Sequence, residues 1–258
     1  MNILVFDIET IPDVAAGRKL YDFQGDDQAI AAKMFARRLE ETGSEFLRHY
    51  LHRIVAISVV LRQADTFRVW SIGDLDSGEA EIIQRFYDGI DRYTPTLISW
   101  NGSTFDLPVL HYRSLLHGVC ASRYWEKGAH DQNFKWNNYL SRYHERHTDL
   151  MDVLAGYSTR ANAPLDEIAS LLGFPGKMGM SGNKVWDHYL NNDLEGIRNY
   201  CETDVLNTFL VYLRFLLIQG KLDQSQYDHE IQLALHTLKA SDKPHLQKFA
   251  AAYQPTSD

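Results

Sequence analysis

The chain opens on an apolar run, Asn2-Ile-Leu-Val-Phe6, that passes into Asp7-Ile8-Glu9-Thr10. Apolar and β-branched residues over positions 2–8 predict a buried strand. Two further apolar runs, at 53–62 and 66–72, are separated only by Gln63-Ala64-Asp65 and read as a β-hairpin. Between the first strand and this hairpin, residues 24–50 are charged with helical spacing and predict a helical insertion. Ser77 followed by Glu79 and Glu81 predicts a helix capped by the serine, with acids in its first turn. Residues 96–100 read as a fourth strand, followed by a polar turn and a helix from Phe105. His147-Thr-Asp-Leu-Met-Asp-Val-Leu154 reads as a short fifth strand passing into a helix. Pro164 and Gly173 bracket another helix, a long one covers 193–220, and one more follows from Gln224.

This order predicts an α/β architecture, a mixed sheet with helices on both faces. No Gly/Ser/Pro-rich linker divides the chain, so a single domain is expected over residues 1–242, with a flexible tail over 243–258.

Three groups of carboxylates stand out within these elements. On a strand Asp7 and Glu9 face one side, while Phe6, Ile8 and Thr10 face the other. Two adjacent acids repel, so either the strand ends before Asp7 or a positive group lies against the pair. In Ser99-Trp-Asn-Gly-Ser-Thr-Phe-Asp106 the last residue opens a helix, where an acid also interacts favourably with the helix dipole. In Asn199-Tyr-Cys-Glu-Thr-Asp204, Tyr200 and Asp204 stand four apart and share one helix face. Ile197, Leu206 and Val211 make the surroundings apolar, so Asp204 is expected to be partly buried and in want of a partner.

Composition narrows the field. Of 258 residues 45% are apolar and 23% charged, and no apolar run reaches the length of a membrane span. The first residues lack the basic segment of a signal or transit peptide. Cys120 and Cys201 are too few for a disulfide framework, so two free thiols in a reducing, cytoplasmic setting are expected. A net charge of −8 excludes a protein that coats duplex nucleic acid through bulk charge, but not an enzyme with a local groove.

Taken in order, Asp7-Ile8-Glu9-Thr10, Asn101-Gly-Ser-Thr-Phe105-Asp106 and Tyr200-Cys-Glu-Thr-Asp204 resemble the three motifs of the DEDD superfamily of 3′–5′ exonucleases. In particular the chain resembles the proofreading exonuclease domain of family B DNA polymerases, in the stand-alone form described as predicted PolB-like 3′–5′ exonucleases. The likeness covers roughly residues 1–215. Asn199 stands where a related branch has histidine, and Tyr200 assigns the tyrosine branch. No polymerase region follows, so an enzyme working without one in cis is expected. The resemblance implies a ribonuclease H-like, five-stranded mixed sheet flanked by helices. It also implies two divalent ions, Mg²⁺ or Mn²⁺, held by Asp7, Glu9, Asp106 and Asp204, with Tyr200 orienting the attacking water. The implied activity is 3′–5′ hydrolysis of single-stranded DNA, with RNA as a further substrate. RNA trimming, or a module of the same fold that grips 3′ ends without cutting, are the alternatives. No membrane partner is implied, and the oligomeric state is open.

Thr10, Asn101 and Phe105 adjoin the acids and are candidates for contact with the terminal nucleotide, Phe105 being equally suited to core packing. Residues 123–147 interleave Arg, Lys and His with Tyr, Trp and Phe. That composition suits a stacking platform for a single strand, or a long loop whose rings pack on the sheet. Residues 173–184 fail the spacing of a phosphate-binding loop, since Met178 follows Gly176-Lys177, but could bring Lys177 or Lys184 near a phosphate. Asp149 and Asp152 are expected to be structural or to support the four-acid set from outside it, and the histidines lack zinc-site spacing.

Overall fold

β1 (Asn2–Pro12) is the central strand of the sheet because both of its faces are apolar. The computed structural model describes residues 1–254. After β1 come α1 (Val14–Tyr21), α2 (Asp27–Thr42), β2 (His52–Gln63), β3 (Thr66–Ser71), α3 (Glu79–Tyr93), β4 (Thr96–Ser99) and α4 (Asp106–His117). Then follow β5 (His147–Asp149), α5 (Leu150–Leu154), α6 (Leu165–Leu171), α7 (Val185–Leu190), α8 (Leu194–Ile218), α9 (Gln224–Lys239) and α10 (Pro244–Ala252).

The sheet order is β3-β2-β1-β4-β5. β2 runs antiparallel to both β1 and β3, whereas β1, β4 and β5 are mutually parallel. This is the ribonuclease H-like arrangement. Ile3 and Val5 pack with Val205 and Phe209 of α8 on one face. Leu4, Phe6 and Ile8 pack with Phe86 of α3 and Val109 of α4 on the other. α8 is apolar nearly all round because it lies between the sheet and α6, α9 and α10.

Several boundaries differ from the sequence expectation, each for a local reason. β1 does not stop at Ile8 but runs through both acids to Pro12, because β2 stays paired with it as far as His52. A register shift between Glu9 and Thr10 leaves Val55 of β2 unpaired and bends the strand end. Residues 14–21 form a helix that the pattern did not announce, docked on α2 through Gly17. A Cβ there would lie 2.6 Å from Met34 Sδ. Ser77 does not cap α3, whose N-cap is Gly78; the Ser77 hydroxyl accepts the Asp74 N–H at 3.0 Å.

The expected flexible tail is a helix as far as it is described. Pro244 starts α10, and Leu246, Phe249 and Ala250 are buried in the core that α8 and α9 share. Lys243 Nζ and His245 Nε2 reach the buried Glu202 carboxylate of α8 at 2.9 and 2.7 Å. Only residues 255–258 of that expected tail lie outside the described residues.

Candidate active site

Strand alternation carries Asp7 and Glu9 to the face of β1 that α8 covers, in line with Ile3 and Val5. β4 pairs with β1 only as far as Val5–Ile98, so the Ile8 N–H lies beyond the end of β4. There it donates to Asp106 Oδ1 at 3.1 Å, which brings the first residue of α4 to the strand end. From the other side α8 presents Tyr200 and, one turn on, Asp204. Residues from three distant points of the chain thus meet: Glu9 and Asp106 buried, Asp7, Tyr200 and Asp204 half-buried.

The electrostatics follow from that crowding. Burial, then the charges of Asp106 and Asp204, push the Asp7 carboxyl well above the ordinary range. Burial and then Asp7, Asp204 and Asp106 do the same to Glu9. Burial lifts Asp106 to about 7, against the Ile8 N–H that holds it down. Burial lifts Asp204 to about 6, against the Tyr200 hydroxyl and the Lys177 charge. The Tyr200 phenol is itself pushed up by burial and by Asp204, Glu9 and Asp7. Among the described residues no cation offsets Asp7, Glu9 or Asp106.

Cys201, expected only as a free thiol, is part of this cluster. Its Sγ lies 3.4 Å from both the Asp7 carbonyl oxygen and Asp7 Oδ2. Burial and the neighbouring acids push the thiol up, so it donates rather than accepts. The signal was its place three residues before Asp204, on the same helix face. One ligand atom from each of Asp7, Glu9 and Cys201 falls within 4.8 Å of the others. A buried set of oxygen donors that repel one another fits a hard divalent cation, with the protonated thiol as a neighbour.

The raised carboxyls make stability depend on pH. The folded values of about 7 for Asp106 and about 6 for Asp204 exceed the ordinary carboxylate value near 4. Metal-stripped folded protein therefore holds more protons than the unfolded chain between about pH 4 and 7, and loses stability as pH rises through that window. Asp204→Asn is expected to melt about 4 °C or more above wild type at pH 7.5 without metal, and the gap to close near pH 4.5. Calorimetry on metal-stripped samples checks this; a gap that is absent at pH 7.5, or independent of pH, contradicts it.

The remaining sequence candidates divide by where their side chains go. Asn101 takes a left-handed backbone (φ 65°) in the turn after β4, and its side-chain oxygen accepts the Thr104 hydroxyl. Asp149 accepts the Asn101 and Ser103 N–H groups at 2.8 Å each, so it shapes the turn that delivers Asp106. Asp152 pairs with Arg142 at 2.6 Å. Both extra acids are thus held in structural contacts, as expected. Thr10 Oγ1 lies 2.9 Å from His52 Nδ1. His52 Nε2 meets the Leu47 carbonyl at 3.2 Å, which places the ring proton on Nε2 and makes Thr10 the donor to Nδ1. Phe105 packs against the core below α4 and also borders a cleft beside Glu9.

Residues 123–147 split. Tyr124, Phe134 and Tyr139 are buried against the sheet, with the Arg146 guanidinium 3.9 Å from the Phe134 ring, whereas Trp125, Trp136 and Tyr143 are exposed. The loop after α6 is anchored to α8, because Asn207 accepts the Gly176 N–H and donates to the Gly176 carbonyl at 3.1 and 2.9 Å. That anchor holds Lys177 where its charge bears on Asp204. Among the described residues no helix is long and apolar enough to cross a membrane.

A family model described as a predicted 3′-5′ exonuclease related to the exonuclease domain of PolB matches residues 44–253. This span contains Asp106, Tyr200 and Asp204 and begins after Asp7 and Glu9. Among solved structures, the family B DNA polymerase of the hyperthermophilic archaeon Pyrobaculum calidifontis is similar at 17% identity, with a TM-score of 0.49. The likeness covers 97% of this chain but only 27% of that polymerase. No curated protein matches the chain.

Proposed function

The chain belongs to the family of predicted 3′-5′ exonucleases related to the exonuclease domain of PolB, and from that premise we propose that it removes nucleotides from the 3′ end of single-stranded DNA by metal-dependent hydrolysis. The observation that carries this reading is the mutual charge of Asp7, Glu9, Asp106 and Asp204, borne on β1, α4 and α8, with no cation against the first three. Those four carboxylates would hold two divalent ions, Mg²⁺ or Mn²⁺. When bound, such ions generate a nucleophilic hydroxide at neutral pH and stabilise the oxygen that leaves the phosphodiester.

The chain's own residues supply the positioning. A phenol with an ordinary pKa near 10 stays protonated at neutral pH, so Tyr200 orients the water by hydrogen bonding rather than taking its proton. The Ile8 N–H fixes the rotamer of Asp106, and the Cys201 thiol does the same for Asp7. Lys177, whose charge bears on Asp204, is a candidate to meet a phosphate oxygen.

A 5′-labelled single-stranded oligonucleotide tests it. The expected result is a ladder of progressively shorter products with Mg²⁺ or Mn²⁺, abolished by EDTA and restored by excess metal. An RNA strand of the same sequence, run beside it, reads the discrimination exerted through the 2′-OH. Faster loss of RNA transfers the proposal to RNA trimming. Metal-independent cleavage, or tight end binding without turnover, overturns it.

A further inference from the structure

The two most exposed aromatic side chains among the described residues are Trp136 (79%) and Tyr143 (71%). Both lie in the segment between α4 and β5, away from the carboxylates, and each has a cation beside it. Lys135 Nζ lies 5.3 Å from the centre of the Trp136 ring, and the Arg142 guanidinium lies 5.9 Å from that of Tyr143. Arg142 is also 5.2 Å from the ring of Tyr157, which meets Tyr143 edge-on at 5.2 Å. These groups are held in place from below. Arg142 donates to the Asp152 carboxylate at 2.6 Å, and the Tyr157 N–H donates to the Asp152 carbonyl at 2.8 Å. Tyr157 takes a left-handed backbone (φ 62°), which is costly for an aromatic residue and turns its ring toward Tyr143 and Arg142.

Beside these rings is a hollow of about 370 Å³ at the β5 edge of the sheet, bordered by Asn137, Arg142, Tyr143, Tyr157 and Lys221. The one acid on its border is Glu145, 3.6 Å from Lys221. A second hollow, of about 220 Å³, shares Arg142 and His147 with the first and extends to Ser103 and Thr104. Those two residues belong to the turn that delivers Asp106, so Arg142 stands between the catalytic turn and the exposed rings.

Open ring faces with cations at hand match the bases and phosphates of an unpaired strand. A duplex would meet the cations but offer the rings no free base faces. An apolar protein surface would match the rings but desolvate the cations beside them.

We propose that Trp136, Tyr143 and Tyr157 form a second contact with the substrate, a platform on which bases several nucleotides before the 3′ end stack while Lys135, Arg142 and Lys221 meet the phosphates. The proposal rests on the exonuclease reading and deepens it. The carboxylates act on the end of the strand, and the platform makes affinity depend on how much single strand lies behind that end.

The test varies substrate length. In Mg²⁺ wild-type KM is expected to be about tenfold lower on a dodecamer than on a trinucleotide, at the lower half of the range for one stacked base. Tyr143→Leu and Trp136→Leu are each expected to raise KM about tenfold on the dodecamer, leaving KM on the trinucleotide and kcat on both unchanged. An equal change on both lengths, or no change on the dodecamer, overturns the platform. Fluorescence anisotropy in Mg²⁺, on strands whose 3′ linkages are phosphorothioates, gives a readout apart from hydrolysis. Wild type is expected to hold the dodecamer about tenfold tighter than the trinucleotide, and Tyr143→Leu to narrow that difference. If no oligonucleotide is shortened yet binding depends on length and on Tyr143, the exonuclease reading fails and the platform stands. If DNA is shortened but neither KM nor binding changes with length, the platform fails alone.

Discussion

Asp7→Asn is expected to slow hydrolysis of a single-stranded oligonucleotide by about a thousandfold or more, a loss of about 4 kcal/mol of transition-state stabilisation. Burial and then the charges of Asp106 and Asp204 push the Asp7 carboxyl up, and Glu9 feels Asp7 before any other charge. Asp7 is thus coupled to each of the other three members of the proposed set. The amide keeps the shape and removes the charge that would hold a cation. The fold should survive, because the change relieves like-charge repulsion in a half-buried cluster. Cys201→Ala provides the contrast: it deletes a neutral donor at 3.4 Å and leaves all four carboxylates, so a loss under about tenfold is expected. Single-turnover rates in saturating Mg²⁺, with circular dichroism as a control for folding, measure both. Near-wild-type turnover by Asp7→Asn contradicts the four-carboxylate assignment outright.

What the chain revealed before its structure was known depended on the range of the interaction. Alternation along a strand is a local property, so the common face of Asp7 and Glu9 could be read directly, as could the shared face of Tyr200 and Asp204. The strand's true end could not. Ile11 and Pro12 extend β1 because β2 supplies partners as far as His52, some forty positions away in sequence. The helix at 14–21 hid behind Gly17, a poor helix former whose missing side chain is what lets Met34 approach. α10 hid for a similar reason, since its anchorage comes from Glu202 on another helix. Composition alone could not sort residues 123–147, because which rings face the sheet is settled by packing. The cleft beside Glu9 was the least legible feature. Phe46 and Trp186 border it from segments without a motif that lie about 140 positions apart in the sequence.

Arg113→Met is expected to destabilise the protein by about 3–5 kcal/mol, a fall in melting temperature on the order of 10 °C. The Arg113 guanidinium on α4 is 4% exposed and makes a two-point contact with Glu79 at the start of α3, its Nε donating to Oε1 at 2.7 Å. It also pairs with Asp13, the residue that ends the run of β1 and caps α1 through the Ala16 N–H at 3.0 Å. Glu79 in turn accepts the Ile54 N–H of β2 at 2.7 Å and meets His117 at 2.7 Å. One cation therefore ties β1, β2, α3 and α4 together just beyond Glu9 and Thr10. Methionine fills much of the volume but leaves two buried carboxylates without their positive partner, and that desolvated charge, rather than lost contact, is the dominant cost. Two companions separate the causes. Arg113→Lys restores a charge without the planar fork, so it should recover only part of the loss. Adding Glu79→Gln to Arg113→Met removes one orphaned charge and should make the double variant more stable than the single one. Urea unfolding of the three variants gives the comparison. A single-variant cost below about 1 kcal/mol, or a double variant no better than Arg113→Met alone, would mean that the network contributes packing and not charge pairing.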